Sequence, residues 1–79
     1  MSAVLLSEDR VRKKIVENRK QMGYKRRDVV IRMQLFGLDV SYEMYKNIEI
    51  GRRDLTVIEF LFLTKILNID ASALVPSAV

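Results

Sequence analysis

Ser41-Tyr42-Glu43-Met44-Tyr45-Lys46-Asn47-Ile48-Glu49-Ile50-Gly51-Arg52-Arg53 is the stretch that decides how this chain is read. Serine is a strong N-cap, because its hydroxyl accepts from a backbone N–H that the first helical turn leaves unpaired. Gly51 is a natural stop. Between them runs one short helix, from Ser41 to Ile48, with Tyr45 and Ile48 inward and Val40 just before it. Its outer face is polar, and Arg52 and Arg53 follow its end. A helix of this size, flanked by cations, suits docking into a DNA groove.

Outward toward the N-terminus, Gly37-Leu38-Asp39-Val40 reads as a turn. Before it, Arg26 to Phe36 reads as a second helix with Val29, Val30 and Met33 on its inner face. The β-branched run Val29-Val30-Ile31 also has strand character, but an isolated strand would have no partner. Three cations, Lys25, Arg26 and Arg27, stand at this helix's start, where the helix dipole disfavours them. A bound phosphate would reward them; an exposed, suboptimal helix end is the plainer reading. The first helix starts near Ser7, with Glu8 and Asp9 in its first turn. Val11, Ile15 and Met22 share a face, Lys13, Lys14, Glu17 and Lys20 are solvated, and Gly23 ends it.

Outward toward the C-terminus, a loop from Arg52 to Leu55 leads to Thr56, an N-cap with Glu59 three residues on, the capping-box pattern. A fourth helix then runs to about Leu67, and Asn68 stops it. Ile58, Leu61 and Leu63 face inward, while Phe60 and Phe62 cannot both join them. Asp70 caps a short fifth helix, Ala71 to Val75, ended by Pro76. Five short helices with tight connections predict an all-α, compact five-helix domain.

Composition narrows the chemistry. With 79 residues the chain is one domain, residues 1–79, with 1–7 flexible or interface-forming and 76–79 a tail. There is no cysteine and no histidine, so disulfides, thiolate metal sites and a nucleophile–histidine pair are excluded. No glycine-rich phosphate loop is present, and no enzyme, cofactor or metal is expected. A net charge of +4 and a pI near 9.7 suit a polyanion, although many soluble proteins are mildly basic. Ala3-Val4-Leu5-Leu6 is too short for a signal core, and Val57 to Leu67 is too short and too charged to span a bilayer. A soluble, cytoplasmic protein without a membrane partner or an evident small-molecule ligand is expected.

From Val11 to Val75 the chain resembles the lambda-repressor-like (Cro/C1, or XRE) helix-turn-helix domains. Ile15, Arg19 and Gly23 resemble the end of that family's first helix, and Tyr24 to Met33 its second. Val40-Ser41 with Tyr45, Ile48, Glu49 and Gly51 resembles its recognition helix. Arg52-Arg53, Thr56-Val57-Ile58-Glu59 and Lys65-Ile66-Leu67-Asn68-Ile69 resemble the loop, the fourth helix and the next turn.

The resemblance implies roles. The outer face of the third helix, Tyr42, Glu43, Lys46 and Asn47, would read base edges in the major groove of double-stranded DNA. Asn47 suits adenine and Glu43 the cytosine amino group. Arg26, Arg52 and Arg53 would hold the DNA backbone without reading sequence. Arg19 and Glu49 would pair, fixing how the third helix projects. Homodimers are usual in the family, and Phe60, Phe62, Leu74 and Val75 are the candidate interface, with Val4-Leu5-Leu6 another.

The chain also departs from the family. Gln34-Leu35-Phe36-Gly37-Leu38 lengthens the turn between the second and third helices. Lys25 replaces the usual Ser or Thr N-cap, a loss of roughly 1 kcal/mol of helix stability. Glu43 puts an acid on the reading face. Two functions therefore stay open: a DNA-binding transcriptional regulator, expected to be a repressor, or a protein-interaction module on the same fold, antitoxin-like or anti-repressor.

Overall fold

Each of the four α-helices among the described residues is followed by a residue with positive φ, and that shared device sets the architecture. The computed structural model describes residues 5–6, 9–70 and 72. Four helices follow one another: α1 (Asp9–Gln21), α2 (Arg26–Leu35), α3 (Tyr42–Glu49) and α4 (Val57–Ile66). After them come Gly23, Gly37, Gly51 and Asn68, at φ 75°, 92°, 85° and 54°. In every case the next residue's N–H reaches back to a carbonyl in the last turn. Tyr24 donates to Arg19, Leu38 to Met33, Arg52 to Asn47 and Ile69 to Thr64, at 3.0, 3.1, 2.8 and 2.9 Å. This long-range closure, characteristic of a Schellman cap, satisfies carbonyls that a helix end otherwise leaves open. All three glycines of the chain are used this way. Gly51 is the most constrained, since an added Cβ would lie 3.1 Å from the Arg12 guanidinium carbon.

The connection between α2 and α3 is closed by the same means. α2 runs on to Leu35, one residue short of its expected end, with Phe36 as the C-cap. Gly37 N–H donates to the Gln34 carbonyl at 2.9 Å, and the Gln34 side chain donates to the Val40 carbonyl at 2.9 Å. Residues 36–40 thus form a closed, braced turn. The helix starts are equally local. Ser41 Oγ accepts from Met44 N–H at 3.1 Å, and Thr56 and Glu59 complete a reciprocal capping box at 3.1 and 2.9 Å. At α2 only half of such a box exists. The Asp28 carboxylate accepts from Lys25 N–H at 2.8 Å, while the lysine side chain has no acceptor to return.

Val11, Ile15, Val29, Met33, Val40, Tyr45, Ile48, Leu63 and Leu67 belong to one buried core. α3 packs on both α1 and α2, and α2 packs on α4. The radius of gyration, 12.1 Å, is close to the ~11.6 Å expected of a compact chain of this length. Asn18 ties α1 to the end of α4, donating to the Leu67 and Asn68 carbonyls at 3.0 and 3.3 Å.

Some expectations are corrected, and others fall outside the described residues. The described residues hold four helices, and the fifth, Ala71 to Val75, lies outside them except for Ser72. There Asp70 accepts from both the N–H and the hydroxyl of Ser72, at 3.1 and 2.6 Å. Leu5–Leu6 (β1) and Leu55–Thr56 (β2) form a minimal antiparallel ladder, Leu5 opposite Thr56 and Leu6 opposite Leu55. Leu55 therefore belongs to a strand and to the core rather than to a loop. The Ser7 cap lies outside the described residues. Met22 stands past the end of α1 and is 42% exposed, so Val11 and Ile15 hold their face without it.

On α4 the inward face is Glu59, Leu63 and Ile66, with Phe60 packed against the core. Ile58 and Leu61, expected inside, are 55% and 51% exposed. The helix is apolar nearly all round, so its pattern carries no periodic signal, and the partners alone choose the face. Leu63→Ala should cost about 2–5 kcal/mol, whereas Ile58→Ala should stay within roughly 0.5 kcal/mol of wild type. Chemical denaturation of the two variants checks this; equal losses would restore the original face.

Candidate nucleic-acid interface

Glu49, at the last position of α3, carries a carboxylate whose side chain is 1% exposed. Two guanidinium groups hold it. Arg19, near the end of α1, donates through Nε to Oε2 at 2.6 Å and through Nη2 to Oε1 at 3.0 Å. Arg26, the first residue of α2, donates through Nε to Oε1 at 2.8 Å. The third arm of Arg19 donates to the Tyr24 carbonyl at 3.0 Å, in the turn between α1 and α2. One residue from each of three helices thus meets at one point. The planar fork of arginine suits this bidentate geometry.

Burial works against ionisation of Glu49. Hydrogen bonds from Arg19 and Arg26, with the Tyr45 hydroxyl nearby, outweigh it and hold the carboxyl below the usual glutamate range. Tyr45 is fully buried beside this carboxylate. Its hydroxyl feels the charge but, among the described residues, has no partner in good hydrogen-bond geometry. Burial and the adjacent carboxylate both push the phenol upward, so it stays protonated.

α3 therefore turns Tyr45, Ile48 and Glu49 inward, and its opposite arc outward. Tyr42 and Glu43 are exposed, and Lys46 and Asn47 are half-buried. At the N-terminal ends of α2 and α3 lies a cleft of about 390 Å³, lined by Arg19, Tyr24, Lys25, Arg26, Arg27 and Tyr42. Lys25 and Arg27 are exposed, and Tyr42 faces Arg26 across it. The first backbone N–H groups of a helix and its positive dipole end add to those cations, a setting that attracts an anionic oxygen.

The three arginines expected at a DNA backbone differ in their surroundings. Arg52 is exposed just past α3. Arg26 is held by Glu49. Arg53 makes a bidentate pair with Glu59, at 3.1 and 3.0 Å, so one carboxylate serves both the helix cap and an arginine. Burial again opposes ionisation of Glu59; the Arg53 hydrogen bonds and the Thr56 N–H prevail and lower its titration. The side chains of Arg26 and Arg53 remain 30% exposed. Sequence reasoning counted these cations but not their carboxylates, and the spacing of Glu59 suggested only a cap. It also missed Arg19 and Tyr24 as cleft walls.

Comparison with known proteins returns no matching family model, no matching curated protein and no matching solved structure. Function therefore has to be read from the side chains. Among the described residues no three His, Cys, Asp or Glu side chains form a metal-binding group, and no helix is long and apolar enough to cross a membrane. Of the residues considered for a dimer contact, Phe62 stacks on Phe36 with ring centroids 4.9 Å apart, and Leu74 and Val75 lie outside the described residues.

Removing one partner of a buried ion pair strands the other, at about 3–5 kcal/mol. Arg19→Met and Glu49→Leu should each destabilise by that order, and the double variant by less than the two losses added. A double-mutant cycle by denaturation checks it, and strict additivity would show that the pair is not coupled.

Acid should act through the same groups. Both Glu49 and Glu59 titrate below the ordinary glutamate value when folded, so the unfolded chain binds protons first as pH falls. Their contribution is complete above about pH 4.3 and is lost as pH drops toward their folded values. Thermal melts from neutral to acid pH should plateau and then fall, and Glu59→Gln should flatten part of that fall. A fall in Glu59→Gln as steep as in wild type would remove Glu59 from this account.

Proposed function

We propose that this chain is a sequence-specific double-stranded DNA-binding transcriptional regulator of the lambda-repressor-like kind, with α2 and α3 as its helix-turn-helix. The observation that carries the reading is the setting of α3. Its inner face is clamped by Arg19 and Arg26 through Glu49, its outer arc is open, a basic cleft lies at its N-terminal side and Arg52 follows its end. With its side chains a helix is about 10–12 Å across, and the major groove of B-DNA is about 12 Å wide.

On this reading Tyr42, Glu43, Lys46 and Asn47 meet base edges. Asn47 pairs bidentately with adenine, and Glu43 accepts from a cytosine amino group. Lys25 and Arg27 in the cleft and Arg52 beyond α3 contact phosphates, and Arg26 and Arg53 offer phosphates a second, pre-positioned side. The regulator acts as a repressor by occupying its site, as a homodimer on a two-fold operator. Ile58 and Leu61, rather than Phe60, present the exposed apolar surface of the first half of α4 for the second copy.

Selection of bound duplexes from a random pool tests the proposal, and a two-fold symmetric winning site is the expected result. Arg52→Ala should weaken binding to all duplexes alike and reduce the salt slope by about 1. Asn47→Ala should lose about 1–3 kcal/mol of discrimination at one base position. If Lys25, Arg27 and Arg52 together became alanine with no change in duplex affinity, docking through this face would be wrong.

A further inference from the structure

At the opposite end of α2 from the basic cleft lies a second concavity, of about 360 Å³, lined by Arg32, Leu35, Phe36, Lys65 and Ile66. Its floor is apolar. Leu35 is 81% exposed and Phe36 50% exposed, while Ile66 is buried behind them. Phe36 leans on Phe62 at an interplanar angle of 34°, which gives the groove a firm aromatic wall. The fold does not need leucine at position 35. The cap that follows is made by backbone groups of Met33, Gln34, Gly37 and Leu38, and any good helix former would serve there. An apolar side chain this exposed at a concave site marks a surface for something else.

The polar members of the lining are both cations. Arg32 rests over the Tyr24 ring, 4.2 Å from its centroid, and donates to the Asp28 carbonyl at 3.0 Å. Those contacts position its charge without cancelling it, because neither is a carboxylate. Lys65 is exposed. A second copy seated here about a two-fold axis would bring the same two cations against themselves, which like charge disfavours. The complementary occupant is an apolar side chain flanked by carboxylates.

We propose that this groove docks an acidic amphipathic segment of another protein, placing a large apolar side chain between Leu35, Phe36 and Ile66 and carboxylates on Arg32 and Lys65. A helix carrying its anchors at i, i+3 and i+4 spacing presents such a face. The two concavities lie at opposite ends of α2, so the groove can be filled while the α2 N-terminus and the outer arc of α3 stay open. This proposal stands whether or not the chain binds DNA.

Random peptides displayed on phage and selected on the full chain test it, with counter-selection against Leu35→Asp. The exposure of Leu35 means that this variant should still fold, with a Tm lowered by only a few degrees, because an acid in the last turn of α2 opposes the helix dipole. The expected winners carry Asp or Glu around Leu, Ile, Phe or Met. A synthetic winner should bind Leu35→Asp about tenfold or more weakly, and Lys65→Glu more weakly too. The same peptide with its acids changed to lysine should recover binding to Lys65→Glu. Winners without acidic bias, winners indifferent to Leu35→Asp, or none at all would overturn the proposal. So would a wild-type dimer, seen by sedimentation, that Leu35→Asp dissociates, since the occupant would then be a second copy. Duplex affinity measured on Leu35→Asp separates this result from the DNA-binding reading.

Discussion

The buried carboxylate of Glu49 is the constraint on which the other elements are arranged. It draws a guanidinium from the end of α1 and another from the start of α2 to the last turn of α3. A charge in that place is expensive unless it is fully matched, and a well-packed apolar trio of equal volume could be as stable. What an apolar trio would lack is direction. Hydrogen bonds of 2.6 to 3.0 Å are directional and so favour one relative placement of the three helices over others. Tyr45, fully buried one turn earlier on α3, puts its hydroxyl against the same carboxylate and so ties the apolar core to the ionic one.

Local chemistry is what the sequence disclosed best. The Ser41 cap, the Thr56–Glu59 box and the stops at Gly23, Gly37, Gly51 and Asn68 each depend on residues within a few positions, and all are where the pattern puts them. Long-range choices were not legible. Leu5 and Leu6 find partners fifty residues away in a ladder only two residues long, too short to leave a strand pattern. α4 offers apolar side chains in every direction, so only its neighbours could decide that Leu63 goes in and Leu61 goes out. Met22 continued a helical spacing one residue past the end of α1 at Gln21.

The candidate site was legible in outline and not in its economy. Arg26, Arg52 and Arg53 look alike in a sequence, as three cations near helix ends. In the fold, Arg26 and Arg53 are held by carboxylates, and among the described residues Arg52 is not. That division matters under the DNA-binding proposal. A held arginine has already lost much of its rotamer freedom, so a phosphate reaching its open side would meet a pre-positioned donor. A solvated lysine or arginine must be ordered on binding and contributes mainly long-range attraction. Lys25, Arg27 and Arg52 would then supply the attraction, and Arg26 and Arg53 the register.

α2 joins these parts in a further way. Its first residue, Arg26, belongs to the Glu49 clamp, and Lys25 and Arg27 line the basic cleft. One helical face further on, Arg32 lies over Tyr24, and Tyr24 is itself a wall of that cleft. Arg32 also borders the apolar groove at the helix's other end. A carboxylate arriving at the groove would compete with the Tyr24 ring for the same guanidinium. Cation–π attraction at a partly exposed site is about 0.5–1 kcal/mol, comparable to one exposed ion pair, so neither partner would hold Arg32 decisively. Two surfaces that share a side chain at near balance can influence each other without any helix moving. The rigidity imposed by Glu49 would confine that influence to Arg32 and Tyr24.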